Sequence, residues 1–269
     1  TAIGTGALAN NTTAGNNTAV GRSALLANTT GAENVAIGKS ALSANTTANN
    51  NTAVGVNALL VNTTGLDANT TGTNSTAVGF NALSANTTAV NNVAIGSQSM
   101  ASATTGGYNT AVGNNTLQAH TTGNYNVAIG EQALYAKTTA SNNTAVGASA
   151  LLANTTGASN TAVGHNAADA ITTSSYNVAI GGNSLGALTT GDGRNVSIGQ
   201  GAMAAATTGA YNIGIGEGTL GGAALTGSNN VAVGATALDA ATTCHSTVAI
   251  GSNAFGALTT ADSNVAVGL

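Results

Sequence analysis

The feature that most constrains this chain is a repeat of 17 residues, built on a Thr/Val-Ala-Val/Ile-Gly motif. Neighbouring motif glycines lie 17 residues apart, except for one interval of 24 and two of 18. A regular period of this size is the signature of a solenoid, in which each repeat forms one coil. The motif glycines are Gly4, Gly21, Gly38, Gly55, Gly79, Gly96, Gly113, Gly130, Gly147, Gly164, Gly181, Gly199, Gly216, Gly234, Gly251 and Gly268.

The register of the repeat separates an inside from an outside. Residues 18–34 serve as the reference coil, with positions numbered 1 to 17. Position 4 is always Gly, position 3 is Val or Ile, and position 8 is a large apolar residue in every coil except that of Ala168. Charged side chains avoid positions 1 to 4, 7, 8 and 10. A disordered low-complexity chain would not exclude charged residues from fixed positions of a repeat. The pattern therefore predicts folded coils.

Positions 1 to 3 predict a short β-strand, because β-branched residues flank a small one between Asn and Gly. Positions 7 to 10 (Ala-Leu-x-Ala) predict a second short extended segment, and Asn-Thr-Thr-Gly predicts the wide turn. The expected fold is therefore all-β: a parallel β-solenoid of about 16 coils of 17 residues, with two short strands per coil. A single array over residues 1–269, rising ~4.8 Å per coil, would form a rod on the order of 75 Å long.

The first strand has one β-branched face (positions 1 and 3) and one face of small residues (position 2). Neither face carries charge, so both are expected to be covered. We expect positions 3 and 8 to form the core, with Val20, Ile37, Val54, Leu25, Leu42 and Leu59. The irregular intervals all insert residues between positions 9 and 17, which indicates that this arc is the free face. The alanines would then face the axis of a parallel homo-oligomer: Ala19, Ala36, Ala53, Ala77, Ala94, Ala111, Ala128 and Ala145.

Composition excludes several functional classes. Lys and Arg total only four, too few to neutralise a run of phosphates, so no nucleic-acid partner is expected. No apolar run approaches the ~20 residues of a membrane span, and a single cysteine, Cys244, excludes an intrachain disulfide framework. The eight carboxylates are scattered, and no row of coils gathers an acid, a base and a cation. We therefore expect neither an enzyme nor a cofactor or metal site.

The segment Asn34-Val35-Ala36-Ile37-Gly38 resembles the left-handed parallel β-roll heads of trimeric autotransporter adhesins. The longer unit of residues 51–59, NTAVGVNAL, is similar to repeats in phage tail fibres and in bacterial surface fibres that often end in an intramolecular chaperone. The resemblance covers essentially the whole chain and implies a homotrimer, an extracellular location on a cell surface or virion, and an adhesive or spacer role. Both ends of the sequence fall inside a motif, so we expect a segment of a longer protein.

Outer positions supply the candidate contact residues. Tyr108, Tyr125, Tyr176 and Tyr211 share position 16, where tyrosine either meets a ligand or covers the edge of a turn. The Thr pairs at positions 12 and 13 form ladders that either bind ice or hydrogen-bond the turns. Asn-Thr-Thr is both the turn sequence and a glycosylation sequon, at Asn11, Asn28, Asn45, Asn62, Asn69, Asn86 and Asn154. Cys244 and His245 are adjacent, but without a third ligand they do not make a metal site. Cys244 is therefore interpreted as a replacement for the small residue that usually occupies position 14.

These features favour a structural and adhesive segment of an extracellular trimeric fibre, whose repeated faces would give avidity. Its partners would be further copies of the same chain and a host-cell surface or glycan, with no membrane insertion in this segment. The alternatives are a subunit of an end-to-end polymerised filament, through exposed strand edges, and an ice-binding solenoid.

Overall fold

The computed structural model describes residues 1–60, 72–136 and 139–268. It divides into two compact units, Thr1–Thr139 and Ala140–Leu269. In each unit one short strand opens every coil, about 17 residues after the preceding strand. Unit 1 contains β1 (Ala2–Ile3), β2 (Thr18–Val20), β3 (Val35–Ile37), β4 (Thr52–Val54), β5 (Thr76–Val78), β6 (Val93–Ile95), β7 (Thr110–Val112) and β8 (Val127–Ile129). Unit 2 contains β9 (Thr144–Val146), β10 (Thr161–Val163), β11 (Val178–Ile180), β12 (Val196–Ile198), β13 (Ile213–Ile215), β14 (Val231–Val233), β15 (Val248–Ile250) and β16 (Val265–Val267).

Within each unit, strands that follow one another in the sequence pair in parallel and in register. In unit 1 Ala19 pairs with Ala36, and in unit 2 Ala162 pairs with Ala179, so that the motif stacks on its own copies. The longer interval between β4 and β5 leaves this register intact, since Ala53 pairs with Ala77. Each unit is therefore a parallel β-solenoid, as the repeat predicts. The near-duplicate segment that lengthens this interval lies largely outside the described residues.

The prediction of a second strand at positions 7 to 10 is wrong. This segment forms turns, and its position-8 residue adopts a left-handed backbone, with φ of 51° at Leu25 and 52° at Leu134. That conformation costs a non-glycine residue roughly 1–2 kcal/mol. Both leucine side chains are fully buried, a gain of about 1.5–3 kcal/mol each, which offsets the cost. The left-handed residue turns the chain so that the large side chain enters the coil.

Position 4 requires glycine because adjacent coils approach closely there. Gly21 has a φ of 132°, and a Cβ atom on it would lie 2.6 Å from the carbonyl oxygen of Gly38 in the next coil. Gly164 repeats the geometry in unit 2, with the same distance to the carbonyl oxygen of Gly181. Any side chain would push the coils apart, which explains why this position does not vary.

The structure corrects the assignment of the two strand faces. The alanines expected on an oligomer axis point instead into the interior of their own coil, where the single chain buries each of them fully: Ala19, Ala36, Ala53, Ala77, Ala94, Ala111, Ala128 and Ala145. Of the expected core, Leu25, Leu42 and Leu59 are fully buried, whereas Val20, Ile37 and Val54 lie on the outward face and are partly or largely exposed.

Small residues are needed at position 2 because the large side chains of position 8 fill the thin interior. Gly214 occupies position 2 where two neighbouring coils supply Met203 and Leu220. A Cβ atom on Gly214 would lie 3.0 Å from Cγ of Met203 and 3.6 Å from Cδ1 of Leu220. The slot therefore accepts only small side chains: alanine in most coils, glycine at Gly214 and serine at Ser197.

Buried asparagines at position 17 join the coils to one another. The backbone N–H of Asn34 donates to Oδ1 of Asn17 at 2.9 Å, and Nδ2 of Asn34 donates to the carbonyl of Ala48 at 2.9 Å. In unit 2, Asn195 makes the same two contacts, to Oδ1 of Asn177 at 3.1 Å and to the carbonyl of Gly209 at 2.9 Å. One amide thus satisfies two buried backbone groups of neighbouring coils. Sequence reasoning treated this residue only as a turn former.

Candidate functional surfaces

The outward strand face is a uniform surface of the coils. It presents positions 1 and 3, which are Thr, Val or Ile in every coil. Six of the isoleucines at position 3 are 38–42% exposed: Ile37, Ile95, Ile129, Ile180, Ile215 and Ile250. No charged residue stands at either position, and the nearest charges occupy position 5, as at Arg22 and Glu131. Each unit therefore exposes an uncharged, β-branched ladder, flanked by occasional charges.

A second surface is formed by position 16 on the outer arc, where all four predicted tyrosines lie exposed. Their exposed fractions are 51% for Tyr108, 60% for Tyr125, 57% for Tyr176 and 48% for Tyr211. In unit 1 the rings of Tyr108 and Tyr125 stack, with centroids 5.0 Å apart and planes 16° from parallel. Successive coils thus bring position-16 side chains into face-to-face contact.

In unit 2 the stack contains a cation. The guanidinium carbon of Arg194 lies 5.1 Å from the ring centroid of Tyr176 and 5.4 Å from that of Tyr211. Arg194 was not among the residues singled out from the sequence. The available signal was its place at position 16 of an 18-residue coil, between two coils with tyrosine at the same position. We call Tyr176, Arg194 and Tyr211 the Tyr–Arg column.

The threonine pairs divide into two ladders with different partners. At position 12 the hydroxyl donates to the carbonyl of the next coil, as from Thr29 to Thr46 at 3.1 Å and from Thr172 to Thr189 at 2.9 Å. At position 13 the residue is exposed, as at Thr30. Position 12 therefore acts as a hydrogen-bonded turn ladder, and only position 13 offers its side chain to solvent.

The sequon asparagines at position 11 lie mostly inside the coils. Asn28, Asn45, Asn86 and Asn154 are fully buried, so a glycan cannot be attached to them in the folded chain. Nδ2 of Asn28 donates to Oδ1 of Asn11 at 2.8 Å, and Nδ2 of Asn45 donates to Oδ1 of Asn28 at 2.8 Å. The repeated Asn-Thr-Thr serves turn structure at these positions. The sequons of Asn62 and Asn69 lie outside the described residues.

Cys244 is fully buried at position 14, and its carbonyl accepts a hydrogen bond from Nδ2 of Asn230 at 2.7 Å. Burial, followed by the nearby charge of Asp262, raises the pKa of the Cys244 thiol above its ordinary value. Nδ1 of the neighbouring His245 accepts the backbone N–H of Ser228 at 3.1 Å. Among the described residues, no group of three or more His, Cys, Asp or Glu side chains could hold a metal ion.

Across the described ranges, the chain contains no helix of the length and apolar character that crossing a membrane requires. No protein-family model matches this sequence, and a search of curated proteins also finds no match.

Proposed function

We propose that the chain is a structural and adhesive segment of an extracellular trimeric fibre, in which parallel copies pack their outward strand faces around a common axis. The observation that carries the proposal is the uncharged ladder of positions 1 and 3. Covering an isoleucine that is about 40% exposed, such as Ile37, would stabilise the assembly by about 1 kcal/mol per side chain. A ladder that repeats in every coil multiplies that gain.

The occupant of this face is a further copy of the same chain, for two reasons. A parallel copy presents the same ladder at the same spacing, so that contacts between two chains repeat from coil to coil. The flanking position-5 charges are few and of both signs, as at Lys39 and Glu131, and do not prevent close approach. The trimeric state and the extracellular location rest on the resemblance of the repeat to fibre and adhesin heads.

Light scattering on the purified chain tests the assembly. We expect a mass three times the chain mass of 25.4 kDa. Ile95→Glu together with Ile129→Glu would place carboxylates on the outward face and yield folded monomers. A folded monomer from the unsubstituted chain, or a trimer that tolerates both glutamates, would overturn the proposal.

The matched control places charge on the other face of the same strand. Ala94 is fully buried, so Ala94→Arg should unfold its unit rather than release folded monomers. Circular dichroism separates the two results, because the glutamate variant should keep its β-signal and the arginine variant should lose it. Equal behaviour of the two variants would contradict the assignment of the faces.

Ice binding is a second candidate, favoured by the exposed threonines of position 13, as at Thr30 and Thr156. This candidate is less well supported because the hydroxyls of position 12 are already donated to carbonyls, so that position 13 supplies the exposed threonines. Thermal hysteresis of the purified chain would support this candidate, and its absence would remove it. The end-to-end filament alternative would instead give a mass that grows continuously with concentration.

A further inference from the structure

Position 16 is an unfavourable place for large side chains, yet besides Glu33 it holds four tyrosines and an arginine: Tyr108, Tyr125, Tyr176, Arg194 and Tyr211. The backbone there is left-handed, with φ of 62° at Tyr176, 59° at Arg194 and 58° at Tyr211. Asparagine tolerates this region better and fills the position at Asn229, with φ of 62°. The tyrosine and arginine side chains of position 16 therefore stand where asparagine would fit with less backbone strain.

The backbone holds the Tyr–Arg column in place. The N–H groups of Tyr176, Arg194 and Tyr211 donate to carbonyls of the preceding coil at 3.0, 3.2 and 3.1 Å. The extra residue of the Arg194 coil lies beside it, where Nη1 of Arg194 donates to the carbonyl of Asp192 at 3.2 Å. Gly193 is required at this bulge, because a Cβ atom there would clash with the carbonyl oxygen of Ser175.

The guanidinium is oriented but not neutralised. Its central carbon lies over the rings of both Tyr176 and Tyr211, which stabilises a cation without consuming its N–H donors. Among the described residues no carboxylate forms an ion pair with Arg194, whose side chain donates one hydrogen bond, to the backbone carbonyl of Asp192. The remaining N–H donors of a guanidinium form the planar fork that binds planar anions in two-point fashion.

We propose that the Tyr–Arg column binds the carboxylate group of an acidic saccharide. Arg194 would hold the carboxylate through paired N–H donors, and the phenol hydroxyls of Tyr176 and Tyr211 would hydrogen-bond hydroxyls of the sugar on either side. The same outer arc carries the exposed Thr173 and Thr208, which suit a ligand rich in hydroxyl groups. A lone cation beside no other basic group cannot neutralise a dense row of phosphates, which disfavours a nucleic acid.

This inference deepens the adhesive part of the proposed function, but it needs only one chain. The three residues belong to one unit, and their contacts are complete without a second copy. A failure of saccharide binding would therefore leave the trimer proposal standing, and a monomeric chain could still bind the saccharide. Light scattering on each sample, run beside the binding assay, distinguishes the two failures.

The test titrates the full chain with trigalacturonate, with its uncharged methyl ester and with a triglutamate peptide. Tyrosine emission can report binding directly, because the chain has no Trp. We expect trigalacturonate to bind at least tenfold more tightly than the ester and the peptide. Equal binding of the ester would show that the carboxylate is not recognised, and equal binding of the peptide would show that the saccharide is not; either result overturns the proposal.

Variants at the column complete the test. Arg194→Asn should weaken trigalacturonate binding at least tenfold, and Arg194→Lys should restore it only in part, because an ammonium group lacks the planar fork. Tyr176→Asn and Tyr211→Asn should each weaken binding several-fold. Asparagine fits the left-handed backbone, so these variants should melt within a few degrees of the unsubstituted chain.

Arg22→Asn is the matched control, since it removes one exposed arginine from position 5, where Asn114 also stands. It should leave trigalacturonate binding unchanged. Equal losses at Arg22 and Arg194 would show general charge attraction and overturn the site, and so would unchanged binding in the Arg194→Asn variant.

Discussion

The two units fill the same interior slot, position 11, with different mixtures of side chains. Unit 1 holds a ladder of amides, in which Asn45 donates to Asn28 and Asn28 donates to Asn11, and later the buried Ala103 and His120. In unit 2 Asn154 is followed by Ile171, Leu188, Ala206 and Ala241, all of them buried. The strands and their register are nevertheless of the same kind in both units. Position 11 must therefore be filled, but the fold does not require it to be polar.

Position 17 behaves differently, because both units keep a hydrogen-bonding side chain there, asparagine in most coils and a hydroxyl at Ser75 and Thr247. The side-chain amide of position 17 hydrogen-bonds backbone groups of neighbouring coils. Those backbone groups need a partner whether position 11 beside them is polar or apolar. Where position 11 is polar it only adds a second donor to the same carbonyl, as Nδ2 of Asn28 does at the carbonyl of Gly31, which Asn17 already contacts. The comparison separates a position that keeps a hydrogen-bonding side chain from one where such a side chain is optional.

The largest expected effect is therefore at position 17, in either unit. Asn34→Leu and Asn195→Leu should each lower the free energy of unfolding by about 3 kcal/mol or more, because a buried N–H and a buried carbonyl lose their partners. Asn34→Ser is the control, since serine occupies this position at Ser75. Urea titration measures the three variants. A large loss of unfolding free energy in only one of the two leucine variants would contradict the proposal that position 17 has the same role in both units.

Exchange at position 11 should cost less and should depend on the unit. Leu188→Asn would bury an amide between Ile171 and Ala206, whose side chains offer no hydrogen bond, at a cost of about 2–3 kcal/mol. Asn28→Leu should cost about 1 kcal/mol, because the carbonyl of Gly31 keeps its contact with Asn17. Thermal unfolding of both variants tests this order, and a larger loss at Asn28 would contradict it.

A double substitution sharpens the same point. Ile171→Asn and Leu188→Asn together would extend the amide ladder from Asn154, so each new amide gains a neighbour. The double variant should be less destabilised than the sum of the single variants by about 1 kcal/mol. Strict additivity, measured in a double-mutant cycle, would show that a new ladder cannot form in unit 2.

The smallest expected effect concerns position 9, where unit 2 places an acid at Asp169. Burial raises the pKa of Asp169 above its ordinary value, although backbone hydrogen bonds oppose the shift. A raised folded-state pKa means that the charged form weakens the fold above that pKa, and that the penalty disappears below the unfolded-state value. Asp169→Asn should thus raise the melting temperature slightly at pH 7 and leave it unchanged near pH 3. Equal shifts at both pH values would contradict this origin.

The repeat period, the first strand and the buried leucines of position 8 were predictable, because each follows from spacing and side-chain type. The direction of the strand faces was not, since alternation distinguishes two faces without saying which is inside. Ala19 was small enough for either place, and only its packing against position 8 decides. The second strand failed for another reason: nothing local predicts a left-handed leucine such as Leu25, whose backbone strain is offset by tertiary burial.

The candidate surfaces were predictable in part. The tyrosines of position 16 were found because aromatic residues are rare in this chain, and two of them, Tyr176 and Tyr211, contact Arg194. The arginine was not predicted because an inserted residue obscured its register. The role of the buried position-17 amides was not predicted because an asparagine between a turn and a strand is typical of an ordinary turn.

The close contact of the position-4 glycines has an evolutionary consequence. Gly21 meets Gly38 in unit 1 as Gly164 meets Gly181 in unit 2, so neighbouring coils within each unit share the same glycine contact. Removing or duplicating one whole coil would recreate each contact that it disturbs, whereas removing half a coil would set side chains against glycine carbonyls. Unequal recombination between repeats can therefore change the number of coils in single steps without designing any new interface. The number of coils in such a protein can therefore change during evolution while the structure of each coil stays the same.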